Sequence, residues 1–552
     1  MLFLVVAALI CRAAPAIAAQ PTAAIASAHP LATAAGRAIL ERGGNAHDAA
    51  VATAAALAVV EPYSSGLGGG GFFLLHRASD RFEVMVDARE TAPAAATESQ
   101  YIDSGGGPIR GATTRGGTAV AIPGLPAGLA HVAQRYGRLP LAVSLAPAIR
   151  LAREGFPIDA RYSRIAKLRE TFLKSGMNTQ GFLDAGKAPE AGYVLKQAAL
   201  AATLERIARD GPSGFYAGPV ARSMVQAVNV AGGVWREADL ADYRVIEREP
   251  VRFQYRGASI TTAALPSAGG VALAQTLGML ERFAPGRIGD PDTDHLVVEA
   301  LRRAFHDRAR YLADPDFVRV PVRELVSREY VQRRGADIDR AQATRSDTLG
   351  ALDTPRAQST NTTHLSVVDS DGNRVAATLT INLLFGAGIV SSGTGVLLNN
   401  EMDDFSLSED LPNAFRLRGG LANRIEPRKR PLSSMTPTFV EDEKGVLILG
   451  APGGSRIVSQ VLLAIVEYVR APVVEITRIV GMPRYHHQYW PDQIEVEPQG
   501  FNDAWRAAMT AKGHSIRTVN RFWGNMQAVF KAKRGGHAQS ANDPRGEGIA
   551  WY

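Results

Sequence analysis

The chain has almost no cysteine: Cys11 is the single thiol in 552 residues. One thiol excludes a disulfide framework and a cysteine-built metal site. Cys11 also lies in an opening segment with an apolar stretch, Leu2 to Ile10, followed by Ala16-Ile17-Ala18. That small-x-small pattern reads as a signal peptide, residues 1–18, whose removal leaves a periplasmic or secreted protein without a thiol. The stretch is too short to span a bilayer stably, and no later apolar run is long enough for a membrane helix. Charge of one sign is not massed either. Lys and Arg number 61 against 54 Asp and Glu, a net charge of +7. The cations are scattered, and the densest run, Arg424 to Arg430, reads as a solvated, proline-containing loop. A nucleic-acid binder needs a clustered basic footprint on a recognisable module, and neither is present. Histidine ligand motifs are lacking too. His486 and His487 are adjacent and would face opposite ways in extended backbone. No metal and no cofactor is expected.

What is present is ordinary globular material, 46% hydrophobic and 21% charged. Leu31 to Arg42 reads as an amphipathic helix, and Asn45 caps a second, alanine-rich helix ending near Val60. That second helix is apolar nearly all round, as buried helices are. Gly66 to Gly71 matches G-x-G-x-x-G literally, but it follows a helix and precedes a strand, the reverse of a dinucleotide site. It reads as a tight backbone passage beside a buried site. Phe72 to Leu75 is a buried strand; Leu141–Arg153, Leu195–Arg209 and His295–Leu312 are helices. Such alternation implies a layered α/β domain without saying which one.

The sharpest boundary follows Ser346 to Asn361, a polar stretch read as an exposed linker. His364 to Val368 is strand-like, Asp371-Gly372 is a hairpin turn, and Arg374 to Asn382 is a second strand. A period of two puts Thr378, Thr380 and Asn382 on one face. Three polar residues there mean either a solvent-exposed face or a polar pocket. Further on, Asn399 to Asp404 sets amides and carboxylates beside apolar residues. Pro431 to Pro437 holds a serine pair, Ser433 and Ser434. Gly453-Gly454 follows the strand Val446 to Leu449 and leads into the helix Val458 to Val469. A glycine turn there can offer two backbone N–H groups to an oxyanion.

Together these blocks resemble the gamma-glutamyltranspeptidase family of N-terminal nucleophile hydrolases. GGNAHDAAVA, SSGLGGGGFF, DARETAP, LPSAGG, NTTHLSVVDSDGN, LLNNEMDDFS, KRPLSSMTPTF and GAPGGSRI carry the resemblance. It implies a four-layer αββα sandwich and self-cleavage between Asn361 and Thr362, giving a large subunit, 19–361, and a small one, 362–552. Thr362 would be the nucleophile, with Thr380 orienting it and Gly453 and Gly454 holding the oxyanion. Arg89, Ser433 and Ser434 would take a substrate α-carboxylate, and Asn382, Glu401 and Asp404 its α-ammonium. Substrates would be glutathione and other gamma-glutamyl compounds, with water or an amino-acid or peptide amine as acceptor. The stretch Ser406 to Arg430 is long enough for a lid, with Phe415 where some members carry a tyrosine. Two other readings stay open: a cephalosporin acylase of the same superfamily, and an uncleaved periplasmic binding protein.

Overall fold

In the computed structural model, residues 21–350, 362–407, 420–520, 523–548 and 551 are described. The signal segment, Asn361 and Phe415 lie outside them. Twelve strands build two antiparallel sheets. They are β1 (Ala24–Ser27), β2 (Gly70–Arg77), β3 (Phe82–Ala88), β4 (Ile246–Arg248), β5 (Val251–Tyr255), β6 (Ala258–Thr262), β7 (Thr363–Val368), β8 (Arg374–Thr380), β9 (Thr438–Glu441), β10 (Gly445–Gly450), β11 (Gln527–Ala532) and β12 (Ala538–Asn542). The first sheet runs β1-β7-β8-β2-β3-β4 and the second β12-β11-β10-β9-β6-β5. In each, strands from either side of residue 362 are hydrogen-bonded neighbours: β7 to β1, β8 to β2, and β9 to β6.

Side-chain alternation builds the layers. Phe73, Leu75, Leu365, Val367, Val375 and Ala377 face outward into one core. That core is shared with α1 (Pro30–Glu41), α2 (Ala46–Val60), α3 (Leu125–Tyr136) and α4 (Leu141–Glu154). Their neighbours Phe72, Leu74, Val368 and Ala376 face the second sheet. Beyond that sheet pack α5 (Gly269–Leu280), α6 (Pro291–Tyr311) and α7 (Arg456–Arg470). The order helix, sheet, sheet, helix is the αββα sandwich.

Local chemistry explains the elements nearest the site. Asn45 accepts from the N–H groups of His47 and Asp48, and the Asp48 carboxylate in turn accepts from the Asn45 N–H. Such a cap is worth about 1 kcal/mol. Every residue of α2 is buried, as its all-round apolar sequence implies. The hairpin β7–β8 turns at Gly372, whose φ of 92° suits glycine. Asp369, at the end of β7, accepts from the Ala46 N–H at 2.9 Å, tying the hairpin to the start of α2.

Three sequence expectations change. The helix expected from Leu195 starts at Ala198, because Val194-Leu195 pairs with Phe156-Pro157. The 346–361 linker is not exposed at its start. Ser346 is buried, and Asp492 accepts from its N–H at 2.8 Å. The cationic run 424–430 is not simply solvated. Lys429 is fully buried and reaches the Ala422 carbonyl and Glu426, and Arg430 is buried beside Asp87.

Candidate active site

Thr362 sits immediately before β7 and is buried. The register pairs Thr363 with Leu379, so one further step sets Thr362 beside Thr380. Thr380 in turn pairs with Gly70 at the start of β2. The glycine run is needed here: a side chain on Gly69 would run into the Thr380 carbonyl, and one on Gly68 into that of Leu397. The Gly66–Gly71 stretch is therefore the tight passage its sequence implies.

The side chains next to Thr362 are fixed. Thr363 points the other way, donating to Glu61 at 2.7 Å, and Tyr63 donates to the same carboxylate. His364 meets Thr378 at 2.8 Å and Ser366 at 3.1 Å between the sheets. Burial pushes its pKa down to about 3, so it stays neutral there and is no base for Thr362. The expected face of Thr378, Thr380 and Asn382 divides accordingly. Thr378 belongs to the His364 contact, and only the other two line the cavity. Asn382 lies past the strand end, with φ +68°. It donates to the Asn400 carbonyl at 2.8 Å while its N–H donates to the Thr380 hydroxyl.

Charge gathers at the other end of the cavity. Arg89 follows β3 and is fully buried. Its guanidinium grips Glu401, reaches Asp404 at 2.6 Å, and donates to the Pro431 carbonyl at 3.2 Å. Burial opposes its charge, but Glu401, Asp404 and Glu90 outweigh that and raise its pKa. Glu401 moves the same way for the opposite reason: burial raises its carboxyl pKa, with Arg89 pulling against it. The Asn399 side chain holds the Glu401 turn by accepting from the Glu401 N–H and donating to the carbonyls of Gly68 and Ala121.

Ser433 and Ser434 complete this end. The Ser433 Oγ accepts from the Met435 N–H, leaving its own proton for another acceptor. At the mouth of α7, Gly453 and Gly454 have φ of 138° and 58°. Among the described residues neither glycine N–H donates to a backbone carbonyl. Paired donors at a helix start suit a developing oxyanion.

One cavity gathers Arg89, Thr362, Thr380, Asn382, Glu401, Asp404, Ser433, Ser434 and Gly454, with Met435, Ser455 and Ile457. Gly453 borders this set without lining it. The cavity is small, at about 20 Å³, room for about one water.

Sequence reasoning missed Glu90. It is fully buried 3.5 Å from the Arg89 guanidinium, and neither of its oxygens is hydrogen-bonded. Burial pushes its pKa up to about 7 against the pull of Arg89. It also missed Arg308 on α6, whose guanidinium reaches Ser434. A buried helix face carrying several charges was the available signal for Arg308.

Comparison with known proteins agrees with this geometry. The gamma-glutamyltranspeptidase family profile matches residues 32–552. The chain is 39% identical over 526 residues to the glutathione hydrolase proenzyme of Escherichia coli (strain K12), covering 94% of this chain and 90% of that one. It is 38% identical over 513 residues to the acylase ACY 1 proenzyme of Pseudomonas sp. (strain SE83), covering 91% and 88%. The crystal structure of cephalosporin acylase from Bacillus halodurans superposes with a TM-score of 0.83 at 28% identity, over all of both chains.

Proposed function

Because this chain belongs to the gamma-glutamyltranspeptidase family, we propose that it cuts itself between Asn361 and Thr362 and then transfers or hydrolyses gamma-glutamyl groups, glutathione included. The cut yields subunits 19–361 and 362–552, after loss of an export signal, residues 1–18. A threonine hydroxyl needs an adjacent base. Uncut, the Thr362 nitrogen is an amide and cannot serve. Cut, it is an α-amine of ordinary pKa about 8, able to take the hydroxyl proton. The freed Oγ attacks the γ-carbonyl, with Thr380 orienting it and the Gly453 and Gly454 N–H groups receiving the oxyanion. The amine then returns its proton to the leaving nitrogen, and water or an acceptor amine releases the acyl group.

The observation that carries the gamma-glutamyl reading is the internal ion pair of Arg89 with Glu401 and Asp404. A glutamyl α-centre is a zwitterion. Its carboxylate can take Arg89, assisted by Ser433 and Ser434. Its ammonium can take the carboxylates so released, with Asn382. Every charge keeps a partner. A glutaryl group would take Arg89 and strand Glu401 and Asp404, and stranding a buried charge costs about 3 kcal/mol or more. Turnover of gamma-glutamyl-p-nitroanilide should therefore exceed that of glutaryl-p-nitroanilide by at least about a hundredfold in kcat/KM. Preference for the glutaryl compound would favour the acylase reading, for which the acylase relatives speak. N-terminal sequencing of the purified protein tests both cuts. A single uncut chain that still turns over would refute the mechanism.

A further inference from the structure

Helix α6 carries a row of buried charges, and all but one are answered. Arg302 and Arg303 pair with Glu299, and Arg303 also with Asp337. Asp307 receives Arg334, Gln275 and Tyr330. Arg308 differs. It is 4% exposed, yet among the described residues its side chain makes one hydrogen bond, from Nη2 to the Ser434 Oγ at 3.5 Å. Its Nε has no partner, and no described carboxylate lies within ion-pair distance. Asp404 acts on it only electrostatically, opposing a burial that lowers its pKa to about 10. It is therefore charged at neutral pH. A buried charge left this poorly matched is costly unless an anion completes its surroundings.

The anion that fits comes from the cavity. Ser434 lines it, and Arg308 stands directly behind Ser434. A hydroxyl that accepts from a guanidinium has its own proton directed elsewhere, and is the better donor for it. Arg89, by contrast, is already engaged by two carboxylates and a backbone carbonyl. We infer that Arg308 is a second cation for the α-carboxylate of the acyl donor, a positioning residue that acts through the Ser434 hydroxyl. The chain of donors runs Arg308 Nη2–H to Ser434 Oγ, then Ser434 O–H to the carboxylate. Selectivity for an acyl group bearing a free carboxylate is thus set by two arginines from two helical and strand layers, not by Arg89 alone. This inference rests on the gamma-glutamyl reading of the cavity.

The test uses Arg308→Gln and Arg308→Lys in the full-length enzyme, with cleavage checked on a denaturing gel. KM and kcat are measured for gamma-glutamyl-p-nitroanilide. 4-Carbamoylbutanoate, which has only the carboxylate, and 4-aminobutanamide, which has only the ammonium, serve as competitive inhibitors. Arg308→Gln should raise KM by about tenfold or more while kcat moves by less than about threefold. It should weaken 4-carbamoylbutanoate in proportion and leave 4-aminobutanamide unchanged, with Arg308→Lys recovering part of the loss. An unchanged KM, or equal weakening of both inhibitors, would overturn the inference. So would failure of both variants to cleave, which would make Arg308 a structural cation. No turnover by the unaltered enzyme would sink the gamma-glutamyl reading and this inference with it. An Arg308→Gln variant that keeps the unaltered KM and carboxylate inhibition in an otherwise active enzyme sinks the inference alone.

Discussion

The two ends of the cavity are built from opposite materials. At the Thr362 end the groups are hydroxyls, amides and backbone N–H, and the one nearby imidazole, His364, is held neutral. At the Arg89 end three carboxyls crowd one guanidinium, with Arg308 behind. Under the proposed function the contrast divides the labour: the neutral end would make and break bonds with a proton borrowed from a chain terminus, and the charged end would select what enters.

Breaking the neutral end should have the largest effect. Thr362→Ala should leave one uncut band on a denaturing gel and lower kcat by at least about a thousandfold; near-normal turnover would overturn the nucleophile assignment. At the charged end, Arg89→Lys keeps the charge but loses the fork that spans two carboxylates. Its kcat/KM for gamma-glutamyl-p-nitroanilide should fall about ten- to a hundredfold. Asp404→Asn removes one ammonium partner, so the preference for glutamyl over glutaryl should narrow about tenfold. A preference that stays put would assign the discrimination elsewhere.

Acid should act on the whole fold before it acts on either end. Burial pushes the pKa values of His364, His486 and His514 down to about 3. In the unfolded chain they titrate near 6.5. Between those values the unfolded state binds more protons, so stability is full above pH 6.5 and falls as pH drops. Each such histidine should cost about 2 kcal/mol by pH 5, read from urea midpoints. Glu90 has the reverse slope and the smallest effect. Its pKa is raised to about 7, so its contribution is full below the ordinary carboxyl pKa and is lost as pH rises through 7. Glu90→Gln should remove that opposing slope, so stability rises more steeply between pH 4.5 and 6.5 and no longer declines toward pH 7.5; an unchanged profile would mean that Glu90 stays ionised.

Much of this contrast could be read from the chain. The Asp371-Gly372 turn fixed the hairpin, and strand alternation put Thr378 and Thr380 on one face because a sheet face repeats every second residue, while the place of Thr380 beside Thr362 was legible only by resemblance and follows from the pairing of Thr363 with Leu379. The alternation failed one step further on. Asn382 reaches the cavity through a left-handed backbone that no period of two foresees. The charged end was legible only by resemblance, since Arg89 lies 312 residues before Glu401 and 315 before Asp404 and nothing local ties it to them. Glu90 and Arg308 were missed because burial of a charge is a tertiary fact. The same cause explains Ser346 and Lys429, which look like loop residues in sequence and are sealed in the fold.

The strand order has one more consequence. Since both sheets combine segments from before and after residue 362, neither product of a cut there would own a complete sheet. Pulling the pieces apart would tear open backbone ladders in three places and bare both hydrophobic layers. Scission would thus nick the molecule without dividing it, and the fragments should travel as one particle through any column run without denaturant.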